Sequence, residues 1–298
     1  MTPWVEALKR EHVKPLAAVV WPGDESTVHA VRAAVEAGLI EAVMIGCREQ
    51  VEREFADLLA GGKVSIVDAD DSAQASAIAV RLAREGRARL IMKGLVNTDV
   101  LLKAVLNKEE GILEPGRVLT HIAIADIPCR DKLLFFTDAA VLPYPTETQR
   151  EQQLACVLDV CRAMGLARPR VALIHCTEKV NERHFPFTAH YRELAQRAQA
   201  GEWGDCVVDG PFDVKTSCDA HAAAVKGISS ELNGSADALI FPDIESGNVF
   251  YKTITLFAGA TTAGLLCGTR VPVVVPSRGD DMATKFYSIA AACRVAMG

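Results

Sequence analysis

The 298-residue sequence has no CxxC pair, no cluster of lysines and arginines, and no apolar run long enough for a bilayer. Its nine cysteines are odd in number and scattered from Cys47 to Cys293. They write neither a zinc ribbon nor a disulfide framework, and the expected compartment is the reducing cytoplasm. Basic residues number 32 against 38 acidic, a formal charge of −6, so no nucleic-acid partner is expected. Glu6, Lys9, Arg10 and Glu11 interrupt the N-terminus where a signal peptide needs an apolar stretch. The longest uncharged apolar-leaning span, 253–269, carries five threonines and three glycines. It reads as packed interior or a site-lining helix, and no membrane partner is expected. GxxxxGK[ST], GxGxxG, GxSxG and HExxH are all missing, and no two histidines stand four residues apart. These absences weigh against phosphate-loop hydrolases, dinucleotide-fingerprint oxidoreductases, serine hydrolases and helical metal sites. No metal is expected.

What is present is a chain 50% hydrophobic and 23% charged, enough for a large core and, at roughly 150 residues per domain, for two domains. Short apolar runs alternate with helical-period segments, the pattern of parallel strands joined by helices. PLAAVVW (15–21), EAVMIG (41–46), VSIV (64–67) and LIMKG (90–94) read as strands. Between the first two, Val28, Val31, Val35 and Leu39 recur at helical spacing after Gly23 and Asp24. The pattern breaks at VLPYPTETQ (141–149), where a threonine after two prolines suits the cap of a helix reaching about Met164. Strands are then expected at 170–176, 206–210, 238–243 and 271–277. Helices are expected near 189–200, 218–226, 248–267 and 282–296.

Four segments carry candidate chemistry. In VPVVVPSRGDDMATKFYSIA (271–290) a buried strand ends in proline, then Ser277, Arg278 and Gly279 precede a helix, placing them at the carboxyl edge of a sheet, where ligands bind in open α/β folds. A helix start there offers amides to an anion, Arg278 a bidentate fork, and Ser277 a donor to an oxyanion. The same residues also suit an ordinary turn, and spacing alone leaves the two readings level. FPDIESGNVFYK (241–252) has the same layout, with Asp243 or Ser246 as cap, Gly247 allowing close approach, and Asn248 and Lys252 one turn apart. Alone it is an ordinary helix start. In IMKGLVNTDVLLKAVL (91–106), Lys93 and Gly94 end a strand, with Asn97, Thr98 and Asp99 before a helix. Lys93 either neutralises a phosphate or snorkels to water. In CVVDGPFD (206–213), Asp209 and Asp213 suit a metal or a base, but caps and strand ends account for them more simply. Cys176 and Cys267 are expected to be buried.

Together these segments resemble the phosphate acetyl/butyryltransferase family, over essentially the whole chain and in the family's order. KGLVNTDVLLKAVLNKEEGI (93–112) and DGP (209–211) resemble the butyryl branch. PDIESGN with the following YK, and SRG (277–279), are shared more widely. The resemblance implies an α/β fold of two domains with mostly parallel sheets flanked by helices, like that of isocitrate and isopropylmalate dehydrogenases, with an active-site cleft between them. The first domain would be 1–143 plus 268–298 and the second 144–267, with the C-terminal helix folding back onto the first domain. Acetyl-specific members carry a carboxylate seven residues after the serine, where this chain has Thr284, with Asp280 and Asp281 nearer. They also carry an arginine where this chain has Leu102 and Lys103. Both departures agree with the butyryl branch.

The activity so implied is transfer of a short acyl group, butyryl before acetyl, between coenzyme A and inorganic phosphate, by attack of a phosphate oxygen on the thioester carbonyl. The expected catalytic residues are Ser277, Arg278 and Asp281. The expected substrate-binding residues are Lys93, Gly94, Asn97, Thr98, Asp243, Ser246, Gly247, Asn248, Lys252 and Gly279. No cofactor is expected, since coenzyme A thioester is a substrate, and the family habit implies a homo-oligomer. Two alternatives stand beside this reading. One is a metal- and NAD-dependent dehydrogenase of the isocitrate or hydroxythreonine-phosphate type, with Asp209 and Asp213 as ligands. The other is a non-catalytic acyl-CoA-binding module.

Overall fold

The computed structural model describes residues 2–10, 14–277 and 279–297. The chain divides into two compact units, residues 1–119 with 262–298, and residues 120–261. Each is an α/β layer built on a mostly parallel sheet flanked by helices.

The first unit starts with α1 (Thr2–Leu8), β1 (Leu16–Val20), α2 (Glu25–Glu36), β2 (Glu41–Gly46), α3 (Arg48–Ala60), β3 (Val64–Asp68), α4 (Ser72–Arg84), β4 (Leu90–Lys93) and α5 (Thr98–Val105). Three further elements return to it from the end of the chain: β10 (Thr261–Cys267), β11 (Val273–Val274) and α11 (Met282–Met297). The strand order is β3-β2-β1-β4-β11-β10. All neighbours run parallel except β10 against β11. Ala17 to Val20 of β1 are fully buried, as expected of a strand covered on both faces. The chain leaves β1 toward β2 on one side, while β4 lies on the other. The carboxyl ends of β1 and β4 therefore flank a topological switch point, where α/β folds bind ligands.

Helix α2 forms because Asp24 caps it, accepting from the Thr27 amide at 2.9 Å, and because Val28, Val31 and Val35 share one face. That face belongs to the same buried cluster as Ile289, Ala290, Ala292 and Cys293 of α11.

The second unit comprises β5 (Thr120–Asp126), β6 (Leu134–Thr137), α6 (Glu147–Ala163), β7 (Arg170–Ile174), α7 (Phe187–Gln199), β8 (Val207–Phe212), α8 (Val214–Cys218), α9 (Ala220–Val225), β9 (Ala238–Ile240) and α10 (Ile244–Phe257). Its strand order is β5-β6-β9-β7-β8, with only β5 and β6 antiparallel. Thr146 caps α6 in a reciprocal box with Gln149, the arrangement expected of a threonine after two prolines.

Three expectations are corrected. The helix expected over 248–267 ends at Phe257. Gly259 then turns the chain with φ +62°, and 261–267 is strand β10. Branched Thr261 and Thr262 favour the extended form. Strands β5 and β6 were not anticipated; they pair with each other and β6 runs beside β9. The two compact units divide the chain at 119/120 and 261/262. The strand expected over 271–277 contracts to Val273–Val274. Among the described residues, no helix is long and apolar enough to cross a membrane.

Candidate active site

The first unit gathers five of the expected residues around two adjoining cavities. One, of about 370 Å³, is lined by Asp24, Ser26, Lys93, Gly94, Ser277 and Lys285, with Glu25, Leu95 and Pro276 completing the wall. The other, of about 400 Å³, is lined by Lys93, Asn97, Thr98 and Ser277, together with Val96, Asp99 and Pro276. Lys93, Pro276 and Ser277 are common to both, at the carboxyl ends of β4 and β11.

Lys93 is only 4% exposed, so it does not snorkel to water. Its Nζ donates to the carbonyls of Gly94 at 3.2 Å and Val96 at 3.1 Å, which fixes the turn after β4. Gly94, just past β4, packs directly on the backbone at the end of β1. A β-carbon there would overlap the carbonyls of Val20 and Trp21, and its amide donates to Val20 at 2.8 Å. Asn97 is the residue before α5, and its carbonyl accepts from the Val100 and Leu101 amides. Asn97 and Thr98 are both exposed at that helix start.

Ser277 is exposed, and its amide donates to Asp280 Oδ2 at 2.8 Å. Gly279 is exposed with open space where a side chain would stand. Asp281 accepts the Thr284 amide at 2.8 Å and so caps the first turn of α11. Arg278 lies outside the described residues.

The remaining expected residues sit on α10 in the second unit. Asp243 caps that helix, accepting the Ser246 amide at 2.8 Å and lying 2.9 Å from Ser246 Oγ, so both side chains serve the helix start. Gly247 packs on the Asp138 carbonyl, and Asn248 Nδ2 donates to Ala139 O at 2.9 Å. Lys252 is exposed, with Nζ 4.8 Å from the Tyr251 ring centroid.

The Asp209 and Asp213 carboxylates have protein partners. Asp209 accepts from the Gly210 amide and Ser230 Oγ. Asp213 caps α8 and pairs with Lys226 at 2.6 Å; burial pulls its pKa up, but Lys226 and Thr216 outweigh this and hold it below the usual carboxylate range. The expectation for Cys176 is corrected: it is exposed, because β7 ends at Ile174, and its Sγ lies 3.6 Å from His175 Nε2. Cys267 is buried.

Sequence reasoning missed two features. Lys285, 2% exposed, donates to Asp24 Oδ1 at 2.7 Å, Ser26 Oγ at 2.7 Å and Thr27 Oγ1 at 3.0 Å. Partial burial would raise the Asp24 pKa, but Lys285, Thr27 and Ser26 together hold it well below the usual carboxylate range. In the second unit, the buried Asp138 carboxylate accepts from the amides of His121, Ala140, Val141 and Leu142 and from Thr120 Oγ1. It organises the loop under Gly247 and Asn248. No local spacing signals the Lys285–Asp24 contact, which spans 261 residues, or the reach of Asp138 back to Thr120 and His121.

Residues 72–293 match the phosphate acetyl/butaryl transferase family model. The chain belongs to that family. It is 37% identical over 290 residues to the phosphate butyryltransferase of Clostridium beijerinckii, covering 97% of this chain and 95% of that protein. It is 34% identical to the phosphate acetyltransferase of Rhizobium meliloti, covering 96% and 90%. Among solved structures, a branched-chain phosphotransacylase from Enterococcus faecalis superposes with a TM-score of 0.83 at 27% identity, over 95% of this chain and 99% of that one. A 4-hydroxythreonine-4-phosphate dehydrogenase from Burkholderia phymatum reaches 0.56 at 12% identity over 95% and 98%, a likeness of fold alone. As a family member the chain is an acyltransferase acting between coenzyme A and phosphate.

Proposed function

We propose that the protein is a phosphate butyryltransferase, with acetyl as a second, poorer acyl group. The observation that carries this reading is the joint wall of the two cavities, where buried Lys93 and exposed Ser277 meet at the carboxyl ends of adjacent strands. A buried ammonium attracts an anion, and a hydroxyl beside it donates to an oxygen that gains charge.

In the reaction so proposed, an oxygen of phosphate attacks the thioester carbonyl, the tetrahedral oxyanion collapses, and the C–S bond breaks to give acyl phosphate and coenzyme A thiolate. Ser277 donates to the oxyanion or the leaving sulfur. Lys93, Asn97, Thr98 and the α5 amides, with Arg278, bind phosphate, while Gly94 and Gly279 let it approach the backbone. Asp281 takes the thiol proton in the reverse direction. Asn248 and Lys252, on a helix start held by Asp243, Ser246 and Gly247, contact coenzyme A. Holding two anions in an attacking geometry supplies much of the rate. Beyond the two substrates we propose no cofactor and no metal.

We also read the two units as the two domains of the family's dehydrogenase-like fold, the location as cytoplasmic, and the assembly as a homo-oligomer. Val249, Leu256 and Phe257 of α10, 66%, 74% and 81% exposed, support self-association, because side chains of this size seldom stay in water together.

The test is release of free thiol from butyryl-CoA on adding phosphate, with a metal chelator present. Turnover, with a higher kcat/KM for butyryl-CoA than for acetyl-CoA, supports the reading. The margin is bounded at roughly 1–3 kcal/mol per added methylene. NAD reduction without thiol release would move the chain to the dehydrogenases, and acyl-CoA binding without turnover to the binding modules.

A further inference from the structure

We propose that Lys285 is a positioning residue, whose ammonium pins the first turn of α11 to the N-terminus of α2 and so fixes Ser277 at the cavity wall and Asp281 at the helix start. The proposal rests on the functional reading above and assigns a role to a residue outside it.

Lys285 lines the cavity wall, but its ammonium is committed to protein partners. Its three hydrogen bonds go to Asp24, Ser26 and Thr27, all within one turn. The placement is costly in two ways. A buried ammonium loses its hydration, and a cation at a helix N-terminus meets the positive end of the dipole. The Asp24 cap offsets both. Replacing both partners of such a pair by apolar side chains of similar volume is often neutral or stabilising, so what the pair adds is direction.

Further along α11 other bonds give direction: the Gly264 amide donates to Ser288 Oγ at 2.9 Å and Cys293 Sγ donates to Leu39 O at 3.3 Å. Beyond Lys285 the buried part of α11 is Ser288, Ile289, Ala290, Ala291, Ala292 and Cys293. Lys285 supplies the directional tie in the first turn, the one nearest Ser277. A slip of one residue moves a helix 1.5 Å along its axis, and a displacement of about 1 Å at reacting groups costs on the order of 100-fold in rate. The segment ahead of the helix is tied by local bonds: Ser277 N to Asp280 Oδ2, Asp280 N to Ser277 O, and Lys285 N to Asp281 O. The contact between Lys285 and Asp24 spans 261 residues of sequence, and it lies in the wall that also holds Ser277.

The test compares Lys285→Met, which keeps the aliphatic stem, with Asp24→Asn, Lys285→Arg and the double variant Asp24→Asn/Lys285→Met. Amide hydrogen exchange and kcat are measured well below each Tm. The expected result is exchange at least 10-fold faster in 277–284 in Lys285→Met and Asp24→Asn, unchanged exchange in 120–261, kcat lowered about 10- to 100-fold, and a double variant no worse than the poorer single one. Lys285→Arg, which keeps the charge, recovers part of the kcat. Unchanged exchange in 277–284, a kcat that follows only the folded fraction, or losses that multiply in the double variant would overturn the proposal. If wild type itself releases no thiol, the functional reading falls, while the exchange data still decide the pin.

Discussion

Gly247 in α10 lies so close to the Asp138 carbonyl that a β-carbon at 247 would overlap the oxygen. The carbonyl cannot retreat, because the Asp138 carboxylate holds its loop through four backbone amides and the Thr120 hydroxyl. Gly247→Ala should therefore lower the Tm of the protein. The sign is diagnostic, since alanine in a helix interior ordinarily stabilises by about 1 kcal/mol relative to glycine. A Tm at or above wild type removes this contact from the account.

Ser277→Ala should reduce kcat by about 100-fold or more while leaving the apparent KM for phosphate nearly unchanged, because a donor aimed at a developing oxyanion acts mainly in the transition state. Steady-state rates with phosphate varied at saturating butyryl-CoA measure both constants. Wild-type kcat would return Ser277 to an ordinary loop residue.

Asp281 caps α11 through the Thr284 amide, and asparagine caps a helix about as well as aspartate. Asp281→Asn thus removes the charge and keeps the cap. The expected result is an unchanged Tm, slower conversion of acyl phosphate and coenzyme A at neutral pH, and partial recovery at higher pH, where the thiol ionises without a base. Wild-type rates across that range leave Asp281 as a cap alone.

Burial pushes the His175 pKa below its ordinary 6.5, among the rings of Phe185 and Phe187. The unfolded chain then binds this proton more readily than the folded protein, so the burial of a neutral ring stabilises fully only above about pH 6.5 and stability falls as pH drops through that value. Chemical denaturation of wild type and His175→Phe between pH 5 and 8, a range set by the ordinary imidazole titration, reads the effect. The difference in stability between the two should shift toward the variant as pH falls; a pH-independent difference would show that folding leaves the ring's proton affinity unchanged.

Features written within a few residues were readable from the sequence. The Thr146–Gln149 box, the α2 stripe of Val28, Val31 and Val35, and the carboxyl-end positions of Lys93 and Ser277 all follow from local spacing and strand ends. What was hidden depends on distant partners. LFFT at 134–137 is four residues long, too short to signal a strand until β5 and β9 flank it. Thr261–Cys267 continues an uncharged run, and only Gly259 separates helix from strand. Asp24 read only as the opening of a helical segment, because the residue it pairs with is 261 positions away.

The first unit is assembled from both ends of the chain, and this has a consequence for synthesis on the ribosome. When β4 emerges, one of its edges is paired with β1, but the other waits for β11, about 180 residues later by the positions of the two strands. Until then the nascent first unit carries an open strand edge and an uncovered α2 face, while residues 120–261 form a continuous stretch with all of β5 to β9 in hand. The edge left unpaired belongs to β4, where Ile91 and Met92 await β11, so nascent chains stalled before residue 262 are the species expected to need a chaperone.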